Sequence, residues 1–266
     1  MTGLPRRPGT VFAEPDRPRK RPGSHRRYRG DADIWENIYP EPGKSDRNIA
    51  IRNRPDLIPV EERKSIVSNR VQIVDPLSNT SMWLESDLEG AAMAIFLAHP
   101  AVVAVRPQFG PVPFEKDGRR RQHYFDLRVD YRSGARGLFA IRNSETAAEV
   151  DADLELIRAQ SLRRFGHFVK TLTEQEITKA AVYRANSILR ARVMNNEKNN
   201  RAILDALRRL GGRARVYDVL ATPDVVFSHG WDALWALIDR GVVVHDHPKH
   251  SEINLERHSW VRLKRN

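Results

Sequence analysis

The sequence predicts an α/β protein in which a mixed sheet flanked by helices is followed by a small C-terminal domain. Between residues 70 and 195, segments that alternate like strands are followed by segments with helical periodicity, as in an α/β layer. From residue 196 to 266, three short helices precede two strands, which is the order of a winged-helix-like domain. A chain of 266 residues with 40% apolar residues is long enough for one sizeable core and a small second domain.

Composition excludes several classes of protein. The chain contains no cysteine, so it cannot form disulfides or thiolate metal sites, and this is compatible with the reducing cytoplasm. The longest apolar stretch, residues 91–105, is interrupted by His99-Pro100 and falls short of the roughly 20 residues that a membrane helix needs. No apolar segment follows the basic N-terminus, so no secretory signal is predicted. We therefore expect a cytoplasmic protein with no membrane partner.

Positive charge is concentrated at the N-terminus. The net charge is +11, and residues 1–30 contain nine lysines and arginines, two acidic residues and five prolines, which predicts a disordered basic arm. Such an arm can neutralise DNA phosphates, whereas binding to an acidic protein, solubility and an address signal are the alternatives. Residues 31–69 are broken by prolines and are predicted to be an irregular lead-in. The candidate DNA-binding residues of the arm are Arg19, Lys20, Arg21, Arg26 and Arg27.

The core is predicted to begin with a strand and a helix. Residues 70–75 alternate like a strand and lead into a turn, and apolar residues at helical spacing predict a helix over residues 87–98. Ser86 and Glu89 have the spacing of a capping box, in which the Glu89 carboxylate reaches back to the Ser86 amide. From this pattern, Glu89 is either a helix cap or a metal ligand.

A short strand and a hairpin are predicted next. Residues 102–105 form an apolar run typical of a buried strand, and a loop rich in proline and glycine follows. Asp117-Gly118 predicts a hairpin turn. The three arginines that follow this turn either contact DNA phosphates or form a solvated hairpin tip; they are Arg119, Arg120 and Arg121.

The strand after the hairpin carries the second candidate acid. Alternation along residues 124–131 places four apolar side chains on one face and Asp126, Arg128 and Asp130 on the other. Asp126 is therefore expected to point away from the apolar face, into solvent or into an open cleft.

The rest of the α/β layer is predicted to contain two more strands and two more helices. Residues 137–141 and 167–172 are apolar enough to be strands, and a helix is predicted from Ser144 or Glu145 onward. Thr173-x-x-Glu176 has capping-box spacing and predicts a long helix that ends near Met194.

The C-terminal domain is predicted to have helices at 201–210, 216–221 and 230–240, with Ser228 as the cap of the third. In a winged helix the third helix commonly enters the DNA major groove. Because this helix carries Asp232 and Asp239 and few cations, base reading by it is doubtful. Its tryptophans are candidates either for a protein contact or for core packing, and the nearby histidines are predicted to be surface residues without a ligand role. The predicted strands are 242–245 and 260–263, the tryptophans are Trp231 and Trp235, and the histidines are His245, His247 and His250.

Four motifs together resemble the TnsA endonuclease family, whose members are the nuclease subunits of heteromeric transposases and cut the 5′ strands at transposon ends. The resemblance covers residues 70–175 and implies a restriction-endonuclease-like fold, in which one acid lies on a helix and another on a strand. The motifs are Ser-Asp-Leu-Glu at 86–89 followed by Phe-Leu, Pro-Gln at 107–108, Phe-Asp-x-x-Val-Asp at 125–130, and Phe-Ala-Ile at 139–141.

The resemblance implies that Glu89 and Asp126 are Mg²⁺ ligands. It also implies a Gln or acid, one spacer and a Lys on the next strand, and this pair is missing. Without a gap, the ligand and lysine positions fall on Arg142 and Ser144, and shifted by two residues they fall on Ala140 and Arg142. Arginine offers a cation but no metal ligand, so Mg²⁺ is expected to be held weakly or lost.

Two functions are therefore open. One is a catalytically impaired DNA-binding protein of a transposition or mobile-element system, and the other is a divergent but active Mg²⁺-dependent endonuclease. The resemblance implies DNA, a transposase subunit and an AAA-type ATPase as partners. Asp130 and Glu145 are nearby acids that offer compensation for the missing ligand.

Overall fold

The computed structural model describes residues 52–53, 71–75, 80–250 and 252–264. They belong to two compact units, residues 1–177 and residues 178–266. The sequence placed this boundary after residue 195, whereas the structure places it after Ile177. The predicted basic arm and most of the lead-in lie outside the described residues, as do the candidate DNA-binding residues Arg19, Lys20, Arg21, Arg26 and Arg27.

The first unit contains a mixed four-stranded sheet flanked by helices, as the sequence predicted. The strand order is β4-β5-β6-β7; β4, β5 and β6 are antiparallel neighbours, and β7 is parallel to β6. A smaller sheet has the order β1-β3-β2. The elements are β1 (Arg52–Asn53), β2 (Val71–Asp75), β3 (Thr80–Leu84), α1 (Asp87–Ala98), β4 (Val102–Lys116), β5 (Arg119–Tyr131), β6 (Arg136–Ile141), α2 (Ser144–Gln160) and β7 (Phe168–Leu172).

Helices α1 and α2 cover opposite faces of the four-stranded sheet. Phe96 of α1 contacts Phe139 of β6, with their ring centroids 4.6 Å apart. The neighbouring Leu138 instead belongs to a buried apolar cluster with Leu154 and Ile157 of α2. Because successive residues of a strand point to opposite faces, the two helices lie on opposite sides of β6.

Helix α1 spans the residues that the sequence predicted. Ser86 is its N-cap and accepts a hydrogen bond from the Glu89 amide, and the helix ends at Ala98, before His99-Pro100. Strand β3, which precedes the helix, was not predicted; no element had been assigned to residues 80–84, between the predicted turn and the helix.

Strand β4 is much longer than predicted, and the prediction of a loop after residue 105 is wrong. The strand continues to Lys116 across two register shifts, the second of which lies between Phe109 and Val112 and contains the cis Gly110-Pro111 peptide; Gln108, just before it, has a φ of 53°. Strand β4 lies at the edge of its sheet, where prolines and bulges are accommodated because one side needs no ladder hydrogen bonds. The predicted hairpin turn is confirmed, with positive φ at both Asp117 and Gly118.

Strand β5 is buried on both faces, so the expected open surface around Asp126 is not observed. Asp126, Arg128 and Asp130 are all buried, and the Arg128 side chain is fully enclosed. Phe125 belongs to the apolar cluster on the α2 side, and the Arg128 guanidinium lies 5.2 Å from the ring centroid of Phe109 in the same cluster. The simple alternation predicted for this strand therefore does not hold throughout.

The helix that follows β7 begins later than predicted. The Thr173 amide and hydroxyl both donate to the Glu176 carboxylate, 3.0 Å away, but these bonds close a turn. Helix α3 (Lys179–Val193) starts three residues further on and is capped by Thr178, which accepts from the Ala181 amide. The capping motif was therefore assigned to the wrong threonine.

The second unit contains helices and a small antiparallel sheet with the strand order β8-β10-β9. Strand β8 was not predicted, and the third predicted helix is capped by Val226 rather than by Ser228. Trp235 is buried and packs against Tyr183, which supports core packing for this residue. His245 is buried, contrary to the surface position predicted for it. Its elements are α3, α4 (Glu197–Arg209), β8 (Arg213–Arg215), α5 (Val216–Leu220), α6 (Phe227–Asp239), β9 (Val243–His245) and β10 (Trp260–Leu263).

Across the described residues, none of the helices combines the length and the apolar character that crossing a membrane requires.

Candidate functional site

The structure brings Glu89 and Asp126 together in the first unit. Glu89 lies in the first turn of α1 and Asp126 lies on β5, and their residues are only 5% and 7% exposed. They are close enough for the negative charge of Asp126 to raise the pKa of Glu89. We refer to Glu89 and Asp126 as the acid pair.

Glu89 is also part of the N-terminal cap of α1. Its Oε1 accepts a hydrogen bond from the Ser86 hydroxyl and its Oε2 accepts one from the Glu85 amide, both at 3.1 Å. The sequence had predicted the Ser86 amide as the donor, and the structure places this bond one residue earlier. A single side chain therefore caps the helix and belongs to the acid pair.

Burial, followed by the neighbouring charge of Asp126, raises the pKa of Glu89 from its ordinary value of 4.5 to about 7, and hydrogen bonds from the Glu85 amide and the Ser86 hydroxyl oppose this change. The protonated carboxyl is therefore favoured in the folded protein. Its contribution to stability is fully present below pH 4.5 and is lost as the pH rises through about 7.

Glu89→Gln is expected to remove this pH dependence. As the pH rises from the pKa of Glu89 in the unfolded protein to its pKa in the folded protein, the unfolding free energy of the natural protein should fall by on the order of 3 kcal/mol relative to that of the variant. Urea unfolding of both proteins at pH 4 and pH 8 measures the difference. Glu145→Gln is the matched control, because Glu145 is likewise a first-turn glutamate but is exposed, at the start of α2. An equal pH dependence in the natural protein and in Glu89→Gln would contradict the raised pKa.

Asp126 is held by the chain that leaves β6. Its Oδ2 accepts hydrogen bonds from the Ile141 amide and from Nη1 of Arg142, each 2.7 Å away. Burial raises the pKa of Asp126, and the Arg142 charge together with these hydrogen bonds acts to lower it. The partner of this buried carboxylate is therefore a guanidinium.

Of the two residues that the ungapped alignment placed in the site, the structure brings only Arg142 to the acid pair. Ser144 begins α2, where its amide donates to Glu174 at 3.0 Å and its hydroxyl binds the same carboxylate. In the shifted alignment Arg142 stands at the lysine position. Ala140, which would then be the ligand, is fully buried in the apolar cluster.

The two nearby acids that could compensate for the missing metal ligand are not placed with the acid pair. The Asp130 carboxylate pairs with Arg128 at 2.8 Å and with Arg136 at 3.0 Å. Glu145 is exposed in the first turn of α2. Asp130 thus has a structural role within the sheet.

Two further residues interact electrostatically with this site, and sequence reasoning missed one of them, His123. The negative charge of Glu85 raises the pKa of Asp126. Burial lowers the pKa of His123, and the neighbouring charge of Arg142 lowers it further. The signal for His123 was its position alone, three residues before Asp126.

Magnesium is the ion that the resemblance implies, and the acid pair does not fit it in this arrangement. Mg²⁺ needs oxygen ligands in near-octahedral geometry. In the part of the chain that the structure describes, no three His, Cys, Asp or Glu residues are grouped so that they could hold a metal ion. Both Glu89 oxygens accept hydrogen bonds from the start of α1, and Asp126 is paired with Arg142. The residues form an ion-paired carboxylate site.

The candidate phosphate contacts lie at the tip of the β4–β5 hairpin. In the ladder Lys116 is opposite Arg119, Glu115 is opposite Arg120 and Phe114 is opposite Arg121. All three arginines are exposed. Arg121 is five residues from Asp126, which corresponds to about 17 Å along an extended strand. We call Arg119, Arg120 and Arg121 the hairpin arginines.

Comparison with models of known protein families found no match, and comparison with curated protein sequences found none either.

Proposed function

We propose that the chain is a DNA-binding protein of a transposition or mobile-element system, with a TnsA-like nuclease fold and an impaired catalytic site. The order of elements in the first unit supports a restriction-endonuclease-like fold. A helix with one acid precedes three antiparallel strands, the second of which carries the other acid, and a helix and a parallel strand follow. The convergence of Glu89 and Asp126 supports the same proposal.

The observation that carries the proposal is the ion pair between Arg142 and Asp126. A nuclease of this type needs ionised oxygen ligands for a metal ion, and Arg142 places a permanent cation on one of the two acids. Glu89, with a pKa of about 7, is only partly ionised at neutral pH. The site therefore keeps the positions of a nuclease but lacks the charge that Mg²⁺ requires.

DNA binding is supported by the hairpin arginines. Three consecutive exposed cations at the end of a long two-stranded hairpin can reach phosphates without a pocket, because phosphate contacts need only positive charge close to the backbone. The nearest acids at the tip are Glu115 and Asp117. The hairpin is therefore expected to supply sequence-independent affinity.

In the second unit, the order of helices and strands supports the winged-helix-like proposal. Helix α6, the third of the helices that the sequence predicted for this domain, is paired through Asp232 with Arg190 and through Asp239 with Arg192, both on α3. These ion pairs cover α6, which supports the earlier doubt about base reading by this helix. We therefore assign sequence-tolerant binding to the protein.

The partners in this proposal are DNA, a transposase subunit and an AAA-type ATPase. The two protein partners rest on the resemblance alone. Genes for a transposase and an AAA-type ATPase beside the gene for this chain would support them, and finding neither would remove the transposition part of the proposal while leaving DNA binding to be tested separately.

Replacing the hairpin arginines with alanine is expected to weaken duplex DNA binding and to flatten its salt dependence. Each phosphate contact contributes about 0.9 to the slope of log affinity against log salt, so the triple variant should lose up to about 2.7 from the slope. Fluorescence anisotropy of a labelled duplex at several salt concentrations measures it.

Arg132→Ala is the matched control for each single arginine variant. Arg132 is exposed and lies just after the opposite end of β5. The proposal expects the Arg132 variant to keep the natural slope. A hairpin variant with an unchanged slope would show that these arginines do not contact DNA.

A further inference from the structure

We propose that the outer face of the small sheet in the second unit binds single-stranded nucleic acid, with a base stacked on Trp260 and phosphates bound by the neighbouring arginines. This inference goes beyond the proposed function, which concerns duplex DNA and the first unit. The binding surface, called the Trp260 face, consists of Arg213, Arg215, Trp260 and Arg262.

The strand register places these four side chains on one face. Trp260 is opposite Arg215 and Arg262 is opposite Arg213 in the antiparallel pairing of β10 with β8. The residues between them, Ala214 and Val261, are buried. Because paired residues and residues two apart share a face, the four polar or aromatic residues form a continuous surface over an apolar underside.

Trp260 is 37% exposed and lies among guanidinium groups. The Arg213 guanidinium carbon is 4.4 Å from the indole centroid, and that of Arg215 is 5.6 Å from it. Exposed aromatic rings with adjacent arginines are the arrangement on which nucleic-acid bases stack while cations neutralise the backbone.

The Trp260 face has more cations than acids. Asp246 binds both Arg213 at 2.6 Å and Arg262 at 3.0 Å. Among the residues that the structure describes, no carboxylate pairs with Arg215. The face therefore has three guanidiniums and one carboxylate, which pairs with two of them, and an anionic ligand such as a phosphate complements the remaining charge.

A second pair of an arginine and an exposed aromatic residue adjoins this surface along the chain. Arg257 lies 5.2 Å from the ring centroid of Phe227, which is 42% exposed. The segment from Arg257 to Trp260 is fixed by hydrogen bonds from the amides of Val216 and Tyr217 to Ser259 and Arg257. One anchored segment therefore contributes to both pairs, which is suited to a ligand several nucleotides long.

Single-stranded nucleic acid fits these observations better than a duplex does. Stacking on an exposed indole needs a base whose face is free, and bases inside a duplex are already stacked on one another. Helix α6, the element that would read a duplex groove, is covered by α3 through Asp232 and Asp239. An acidic peptide would use the arginines but would gain no stacking energy from the indole.

The test is binding of the full-length chain to a labelled oligothymidine. We expect Trp260→Ala to weaken binding about 5- to 150-fold, the usual loss for one stacked base, and Trp260→Phe to retain most of it. Arg215→Ala should reduce the salt slope by about 0.7, the value for one phosphate of a single strand. The natural protein should also show quenching of tryptophan fluorescence on binding that is smaller in Trp260→Phe. Arg201→Ala is the control, because Arg201 is an exposed arginine near the start of α4, the end of the helix that is farther along the chain from β8.

Two outcomes would overturn the proposal. Unchanged oligothymidine affinity in Trp260→Ala would show that no base stacks there, and binding of a polyglutamate peptide with equal or higher affinity, lost in Arg215→Ala but not in Trp260→Ala, would assign the face to an acidic protein. Neither result bears on duplex binding, which the hairpin variants test. The proposed function and this inference can therefore fail independently of each other.

Discussion

Supercoiled plasmid DNA is expected to remain uncut by the purified protein in the presence of Mg²⁺, at the level of a protein-free control. The physical reason is that Arg142 neutralises Asp126 and Glu89 is only partly ionised at neutral pH. Loss of one charge-stabilising group at a reacting centre typically lowers the rate about 100- to 1,000-fold, and under the proposed TnsA-like function this site lacks both a ligand and the lysine. Gel electrophoresis of plasmid incubated with protein measures the fraction nicked.

The variant Arg142→Gln with Ser144→Lys separates the two alignments. It introduces the residue types of the TnsA family at the positions of the ungapped alignment. Because Ser144 begins α2 and binds Glu174, we expect a lysine there to stay away from the acid pair and nicking to remain at background. Mg²⁺-dependent nicking by the natural protein, abolished by Asp126→Ala, would contradict the impaired-enzyme proposal and favour the active endonuclease.

Replacing Asp130 with alanine is expected to destabilise the protein by about 3–5 kcal/mol, the usual effect of leaving a buried charge without its partner. The Arg128 side chain is fully enclosed, and its Nη2 donates to both Asp130 oxygens, at 3.0 Å and 2.8 Å. Arg136 donates to the same carboxylate at 3.0 Å. Urea unfolding measures the change in free energy.

Two variants identify the cause of that loss. Asp130→Asn keeps part of the hydrogen bonding and should fall between the natural protein and Asp130→Ala. Arg128→Met replaces the buried cation with an apolar chain and leaves Asp130 paired with Arg136, so it should cost less than Asp130→Ala. A change below about 1 kcal/mol in Asp130→Ala would mean that water or another group solvates Arg128.

The regular elements were predictable because local signals determine them. Apolar periodicity predicted α1, and the adjacent motif Ser86-x-x-Glu89 predicted its cap. Asp117-Gly118 predicted the hairpin turn, since two consecutive positive φ angles favour these residue types. Strand β10 was predicted with its observed bounds.

The errors arose where tertiary structure overrides local signals. Gly110-Pro111 indicates a loop when read alone, but β4 lies at a sheet edge and continues through this dipeptide with a bulge. Arg128 and Asp130 indicate a solvated strand face, but they form an ion pair inside the core. The Thr173 motif has the spacing of a cap, whereas Thr178 is the residue that precedes a continuous helical segment.

The candidate site was predictable only in part. The resemblance named Glu89, Asp126 and Arg142, and the structure brings these three together. Sequence spacing could not decide between the two alignments, because the choice depends on where the chain goes after β6 ends at Ile141. The contributions of Glu85 and His123 depend on distances across separate elements, which a single sequence does not contain.

The central claim is that Asp126 is paired with Arg142 and that the acid pair does not hold Mg²⁺. Calorimetric titration of Mg²⁺ into the natural protein and into Asp126→Asn tests it most directly. We predict that the natural protein shows no saturable Mg²⁺ binding beyond that of Asp126→Asn. Saturable Mg²⁺ binding by the natural protein that is lost in Asp126→Asn would contradict the claim.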